Sequence, residues 1–397
     1  MRSNVDISDM KSSASFSHVD IDRQFIRQAA LDIESERRTN ALPWRGQFSP
    51  DFVAVILEKL SPRGLVVDPF CGSGTTLGEA ARLGLSSLGL EVNAAAYLLA
   101  RVHQLAEDSS VERIQSFNRV SAEFSRFVQT GGAEAMRDEV LSMEDPRDVI
   151  LASAIFLLTL GNGASVTARS YERACSSVGR LLSGMGEPTG MVRVQLGDAR
   201  AIPLLTGRAD MIFTSPPYVN VFNYHQNYRK AVELLGYDVL PPARSEIGSN
   251  RKFRQNRFLT VVQYAQDTAL ALSEAIRVLR PGGHVVWVVG RESNVRGVAI
   301  CNSQIAFDVA MRLPGLCFER RLERKFRSRY GALVYEDILI FKRVMEAGES
   351  ADVAHFGREV GVNFLNDLLS TMEASIASEV QQARDSAAKV MPSPFMR

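Results

Sequence analysis

The stretch Val66–Thr76, VVDPFCGSGTT, constrains the fold more than any other part of the chain. An apolar run ends in an acidic residue and a glycine-broken turn, and GEAARLGL just beyond it is helical in character. Strand, tight turn and helix in that order aim backbone N–H groups at a small ligand placed at the helix start. Gly72 and Gly74 leave room for close backbone approach, which a Cβ would block. The spacing is not GxGxxG, because Leu77 stands where the third glycine would fall, so a dinucleotide site is the weaker reading. A Gly-rich turn after a strand occurs in many α/β proteins, and alone it assigns no ligand.

The 397 residues suffice for one large domain or two. A hydrophobic content of 46% can build a sizeable core. The net charge of +1 means that any nucleic-acid surface has to be local. Cys71, Cys175, Cys301 and Cys317 lie far apart with no CxxC pair, which argues against a disulfide framework or a zinc site. The polar N-terminus has no signal-peptide core, and the most apolar stretch, Val149–Leu160, is too short to cross a bilayer. A soluble cytoplasmic protein with no membrane partner is expected.

Residues 1–40 read as an N-terminal extension, with a helix expected over Asp20–Arg38. In LPWRGQFSPDFVAVILEKL (Leu42–Leu60), Ser49 is a good N-cap, Pro50 takes the first helical position, and apolar residues follow at helical spacing. Pro62–Gly64 turn the chain into the strand Leu65–Val67, and Ser86–Asn93 reads as a second strand; the βαβ unit implies a parallel sheet. Residues 95–190 read as a helical insertion, with helices over Val111–Gln129, Asp148–Leu160 and Tyr171–Leu182. Strand patterns resume over Met191–Arg200 and Ala209–Tyr218, followed by helices over Tyr228–Leu235 and Ala265–Leu279 and a strand over His284–Val289. Gln304–Arg312 reads as a helix, the chain is basic up to Tyr330, and Asp337–Phe341 reads as a strand. The core thus spans 41–345, and 346–397 form a helical tail with a polar end.

Four features fall at strand ends: Asp68 with the glycine turn, Glu91, Asp198, and Ser215-Pro216-Pro217-Tyr218. In an open parallel sheet, ligands sit beyond the carboxyl ends of the strands, so all four should face one crevice. Glu91, about twenty residues past the first carboxylate, is placed to take both hydroxyls of a ribose. Asp198 is placed to accept from an adenine amine. Taken singly, each carboxylate reads as a helix cap or a solvated loop residue; their recurrence at strand ends favours a site.

At these residues the chain resembles the DNA amino-methyltransferases, which use S-adenosylmethionine. DPFCGSGTT looks like the family's cofactor turn and TSPPY (Thr214–Tyr218) like its catalytic motif. LPWRGQFSP resembles the segment that packs on the methionine end of the cofactor, and PGGHVVWVVG (Pro281–Gly290) a later core strand. The resemblance covers about 42–102 and 191–342. It implies a seven-stranded, mostly parallel, Rossmann-like α/β sheet of the class I methyltransferase type. It also implies S-adenosyl-L-methionine contacts from Phe48, Pro50, Asp68, Pro69, Phe70, Gly72, Gly74, Thr75, Glu91, Asn93 and Asp198.

An exocyclic amine is a poor nucleophile because its lone pair is delocalised into the ring. The Ser215 hydroxyl and the Pro216 carbonyl are candidate acceptors that localise that lone pair, with two prolines stiffening the loop. Tyr218 would stack on a base flipped out of the duplex, and the amine would then attack the sulfonium methyl in line. Carbon-5 cytosine methylation needs a cysteine nucleophile, usually in a Pro-Cys pair, and no cysteine here follows a proline. In the resembled family, serine at the first motif position goes mostly with cytosine N4, so Ser215 favours N4 over adenine N6. The Cys71-containing turn also resembles that of tRNA guanine-N2 methyltransferases, and an RNA base is the alternative substrate. A dehydrogenase and a non-catalytic DNA-binding module are poorer readings.

Double-stranded DNA is the expected partner, and a cognate restriction or defence nuclease a further candidate. Tyr224–Arg257 carries Arg229, Lys230, Arg251, Lys252 and Arg254, read as phosphate or guanine contacts. A second basic run, Arg320–Arg329, is interleaved with Glu319 and Glu323 and reads equally well as a solvated face. His225 sits in a polar aromatic context (FNYHQNY), more in keeping with a hydrogen-bonding histidine than with a substrate contact. No metal is expected, because the histidines have no ligand spacing.

Overall fold

Proline at a first helical position and a run of valines set the entry to the sheet. Helix α1 (Gln28–Leu31) is followed by α2 (Pro50–Leu60), where Pro50 costs no intrahelical hydrogen bond. Next come β1 (Val66–Asp68), α3 (Thr75–Arg82) and β2 (Ser87–Glu91). β1 is buried on both faces, as expected of a central parallel strand without polar alternation. The computed structural model describes residues 16–33, 38–130, 132–163, 165–187, 190–220, 224–249, 252–327, 331–344, 352–372 and 374–396. The expected helix over Asp20–Arg38 is not formed: its described part contains only α1. Backbone pairing takes its place, with Ile21 bridging Arg321 and the Asp22 N–H donating to the Arg321 carbonyl at 2.8 Å.

Between β2 and the next strand the regular elements are helical: α4 (Ala94–Ala100), α5 (Ser110–Thr130), α6 (Ala133–Ser142), α7 (Pro146–Leu160) and α8 (Ala168–Gly184). The Asp145 carboxylate caps α7 by accepting from the Arg147 N–H, and Pro146 follows at N1. Phe124, Leu151, Phe156 and Val178 are buried in a core built mostly from this segment, joined by Leu42, Ala231 and Val232.

The chain returns through β3 (Val192–Leu196) and β4 (Ala209–Thr214), then α9 (Arg229–Leu234), α10 (Leu240–Ser245) and the long α11 (Leu259–Val278). β5 (Leu279–Gly290) leads into a small antiparallel hairpin of β6 (Glu292–Val295) and β7 (Val298–Cys301). After α12 (Asn302–Arg312) come β8 (Leu316–Arg327) and β9 (Leu333–Arg343), and α13 (Val353–Thr371) and α14 (Ala374–Ser386) complete the order. No helix among the described residues is long and apolar enough to cross a membrane.

The sheet has seven strands in the order β3-β2-β1-β4-β5-β9-β8. β3, β2, β1, β4 and β5 are parallel; β9 runs antiparallel to β5 and β8 antiparallel to β9. This is the Rossmann-like class I methyltransferase arrangement. Strand order reverses between β1 and β4, which opens the crevice at their carboxyl ends. One sheet face packs through Val66, Phe213, Val286 and Ile340 beneath α2; the other packs through Val67, Ile212, Trp287 and Phe341 beneath α11 and α12.

The basic stretch read before Tyr330 is largely β8. Its charges hid it, and they are compensated across the ladder: Arg324 lies opposite Glu336 in register and pairs with it at 2.6 Å. Glu323 and Asp337, also opposite each other, share Arg291.

Candidate active site

The glycine turn leaves β1 with Gly72 at φ +53° and Gly74 at φ +89°, a conformation L side chains rarely adopt. A Cβ at Gly72 would lie 3.4 Å from the Trp44 indole, and one at Gly74 would lie 2.7 Å from the His103 ring. The space left by Gly74 is therefore filled by protein, contrary to the expectation that it clears room for a ligand. Pro50 likewise lines a smaller cavity of about 290 Å³ behind the turn.

The main crevice has a volume of about 1060 Å³. It brings together Phe48, Asp68, Pro69, Phe70, Gly72 and Thr75 with Glu91, Asn93, Asp198 and Ser215–Tyr218, as the strand-end argument requires. Glu91 accepts from the Gly72 N–H through Oε2 and from the Asn93 N–H through Oε1, both at 2.9 Å. Asn93 caps α4, its side chain accepting from the Ala95 and Ala96 N–H groups. Asp68 accepts from the Thr214 hydroxyl and the Phe70 N–H. Burial pushes the Asp68 carboxyl up to about 6 and the Glu91 carboxyl up to about 7. Among the described residues no lysine or arginine forms an ion pair with either.

Asp198 departs from expectation. Oδ1 accepts from the Arg200 N–H and Nε, and Oδ2 accepts from Arg200 Nη2 and the Met396 N–H. With these four donors its acceptor positions are filled, and none remains for an adenine amine in this arrangement. Burial would raise the Asp198 carboxyl, but the Arg200 guanidinium outweighs it and holds the group below the usual range. Arg200 also bonds Asp267 at 2.9 Å and the carbonyls of Ser393 and Pro394, so the polar tail end is a packed strap.

The Ser-Pro-Pro-Tyr loop follows β4. Ser215 Oγ lies 3.2 Å from the Tyr218 hydroxyl, which donates to Glu336 Oε1 at 3.1 Å. The Tyr218 ring lies against Gly290, where a Cβ would come within 2.7 Å of it. Burial, then the charge of Glu336, push the Tyr218 phenol well above its usual range. Trp44 stacks on Tyr224 and on Tyr228, with ring centroids 6.4 and 6.3 Å away at small interplanar angles. Sequence reasoning missed Trp44, Thr214, Arg324 and Glu336 as individual site residues; only LPWRGQFSP and TSPPY signalled the first two.

The expected DNA contacts divide. Lys230 and Arg254 are exposed, and Arg229 pairs with Glu233 on α9 at 2.8 Å. Arg251 lies outside the described residues. Lys252 points inward, donating to the Glu246 carbonyl and Ser393 Oγ, and burial lowers its ammonium to about 8. Half-buried and bonded to the tail, the Lys252 ammonium is turned away from the role of a phosphate contact. In the second basic run Arg320 pairs with Asp22, Arg321 with Asp337 and Arg324 with Glu336. His225 is buried with Nδ1 3.1 Å from Glu246 Oε2, a structural hydrogen bond.

Residues 32–101 match a family model described as DNA methylase, N6 and N4 type. Over 79 residues the chain is 35% identical to the type II methyltransferase M.MjaII of Methanocaldococcus jannaschii. Over this stretch the chain is similar to the DNA amino-methyltransferases. The aligned part is 18% of this chain and 15% of M.MjaII. An S-adenosylmethionine-dependent methyltransferase structure from Methanosarcina mazei is 10% identical, with a TM-score of 0.32, covering 71% of this chain and 93% of its own. A putative RNA methyltransferase structure from Pyrococcus horikoshii is 14% identical, with a TM-score of 0.34, covering 80% and 99%.

The family uses S-adenosylmethionine, and the residues in the crevice fit that cofactor. Two carboxylates with no cation partner among the described residues, the buried Asp68 and the half-buried Glu91, wall a space that receives a positively charged ligand favourably. Oxygens of Glu91 remain able to accept from ribose hydroxyls beyond their single backbone bonds.

Proposed function

We propose that this protein transfers a methyl group from S-adenosylmethionine to an exocyclic base amine in double-stranded DNA, with cytosine N4 favoured. The polarity of the Ser215 hydroxyl carries the reading. Tyr218 has one hydroxyl hydrogen, and Glu336 can only accept it. Ser215 therefore donates to Tyr218, leaving its lone pairs for the crevice. An acceptor there is what an amine needs to concentrate its own lone pair on nitrogen.

S-adenosylmethionine supplies an activated methyl group when bound. Glu91 binds and orients through its carboxylate, and Trp44 walls the turn beside Gly72. Thr214 holds Asp68, so the floor of the cofactor end and the start of the catalytic loop move as one piece. Ser215 and the Pro216 carbonyl take the two amine hydrogens. The target base reaches this depth only by leaving the duplex. Ser215, rather than an aspartate, supports cytosine N4 over adenine N6.

The test is to express the chain in a host that lacks DNA methylation and sequence the DNA with detection of modified bases. N4-methylcytosine in a defined motif is the expected result. N6-methyladenine would move the target, and unmodified DNA alongside methylated RNA would move the substrate class.

A further inference from the structure

We propose that Glu336, on β9, ends a proton path that starts at the target amine and passes through Ser215 and Tyr218. The proposal rests on the methyl-transfer reading above. Tyr218 donates to Glu336 Oε1 at 3.1 Å, and Ser215 donates to Tyr218 across 3.2 Å, so both hydroxyls point the same way along the chain. Glu336 is buried, and its other oxygen accepts from Arg324 Nε at 2.6 Å. The Arg324 guanidinium lies over the Phe52 ring at 4.1 Å, which pins the carboxylate and leaves Oε1 for Tyr218. Ser215, Tyr218 and Glu336 all wall the same crevice.

Methylation makes such a path useful. The amine lone pair forms the new N–C bond while the C–S bond breaks with its electrons returning to sulfur. The nitrogen is then cationic until it sheds a proton, and that proton needs an acceptor. It passes to Ser215 Oγ, the Ser215 proton passes to Tyr218 Oη, and the Tyr218 proton passes to Glu336 Oε1. Each hydroxyl ends with one hydrogen, the product amine is neutral, and Glu336 holds the proton until the product leaves and solvent takes it. A carboxylate is a sufficient base, because a protonated ring-conjugated amine is a strong acid. Glu336 touches no reacting atom, so its role is that of a relay and positioning residue.

Glu336→Gln keeps an acceptor for Tyr218 but cannot take the proton. With tritium-labelled S-adenosylmethionine and unmethylated genomic DNA, its single-turnover rate is expected to fall about 10²-fold. Cofactor affinity by calorimetry should stay within about two-fold. Tyr218→Phe cuts the same path without disturbing Arg324 and should show the same loss, which covers the case of a misfolded Glu336 variant. Carbon-13 NMR of labelled tyrosine gives a readout independent of turnover: the Tyr218 phenol should titrate lower in Glu336→Gln. A folded, cofactor-binding Glu336→Gln with a wild-type single-turnover rate would overturn the relay. A wild-type protein that methylates no DNA would instead overturn the functional reading, while the NMR titration still reports on the Tyr218–Glu336 bond.

Discussion

The Thr214 hydroxyl donates to Oδ1 of Asp68 at 2.6 Å, joining the last residue of β4 to the last residue of β1. Through this bond the glycine turn and the Ser-Pro-Pro-Tyr loop share one anchor at the point where strand order reverses. It explains how an apolar sheet edge fixes two loops whose relative position decides the chemistry.

Asp68 and Glu91 give the protein a pH signature. Folding raises them to about 6 and 7 from ordinary values of 3.8 and 4.5. The folded state holds these protons more tightly than the unfolded chain does. Their contribution is therefore most favourable below about pH 4 and is lost as pH rises through the folded values. Cofactor binding runs the other way, since the charged carboxylates are the better partners for a cation and should tighten it as pH rises through about 7. Glu91→Gln should flatten both trends between about pH 5 and 8 in thermal melts and calorimetry. Curves parallel to wild type would place the titrating group elsewhere.

On the proposed reading, Ser215→Ala removes the amine's acceptor while leaving the cofactor end intact. Methyl transfer is expected to fall about 10²-fold or more with cofactor affinity nearly unchanged. Gly290→Ala should reach a similar phenotype by a different route, because the new methyl would sit 2.7 Å from Tyr218 Cε2 and push the ring away. Equal losses of binding and rate in either variant would count against the assigned division of labour.

Arg200 is fully buried between Asp198 and Asp267, with the Ser393 and Pro394 carbonyls completing its shell. Arg200→Leu leaves two buried carboxylates uncompensated and should cost about 3–5 kcal/mol in urea unfolding. A loss under about 1 kcal/mol would mean that the strap is not held by this network.

DNA affinity should depend on Lys230 and Arg254, which are exposed, and little on Lys252. Each phosphate contact removed lowers the slope of log affinity against log salt by roughly 0.9. The Lys230→Ala, Arg254→Ala double variant is expected to show a shallower slope, whereas Lys252→Met should keep the wild-type slope. The reverse pattern would put the phosphate surface along the strap.

Much of the site could be read from the chain because its parts are local. β1, β2 and β4 are short apolar runs that end in a carboxylate or a Ser-Pro-Pro-Tyr turn, and any parallel sheet puts such ends together. The helices past β2 carry their own apolar periodicity and caps, of which Asp145–Pro146 is one. β8 was not legible, because a strand whose charges are paired across the ladder lacks the alternation that marks a half-buried strand. The start of α11 was missed as well: it begins at Leu259, six residues before the run from Ala265 read as helical.

The sequence by itself determined which groups are on offer: a glycine turn, a carboxylate at the end of β2 and a stiff proline loop, each written in a few contiguous residues. Only the tertiary structure decided which charged groups remain available to do it. Asp198 is saturated by a backbone N–H from Met396, Lys252 is drawn into the tail, and Glu336 is brought to Tyr218 from 118 positions away. The physical reason is that a side chain's charge is compensated by whatever lies within a few ångströms. That neighbour is set by long-range register and packing, which no local pattern encodes.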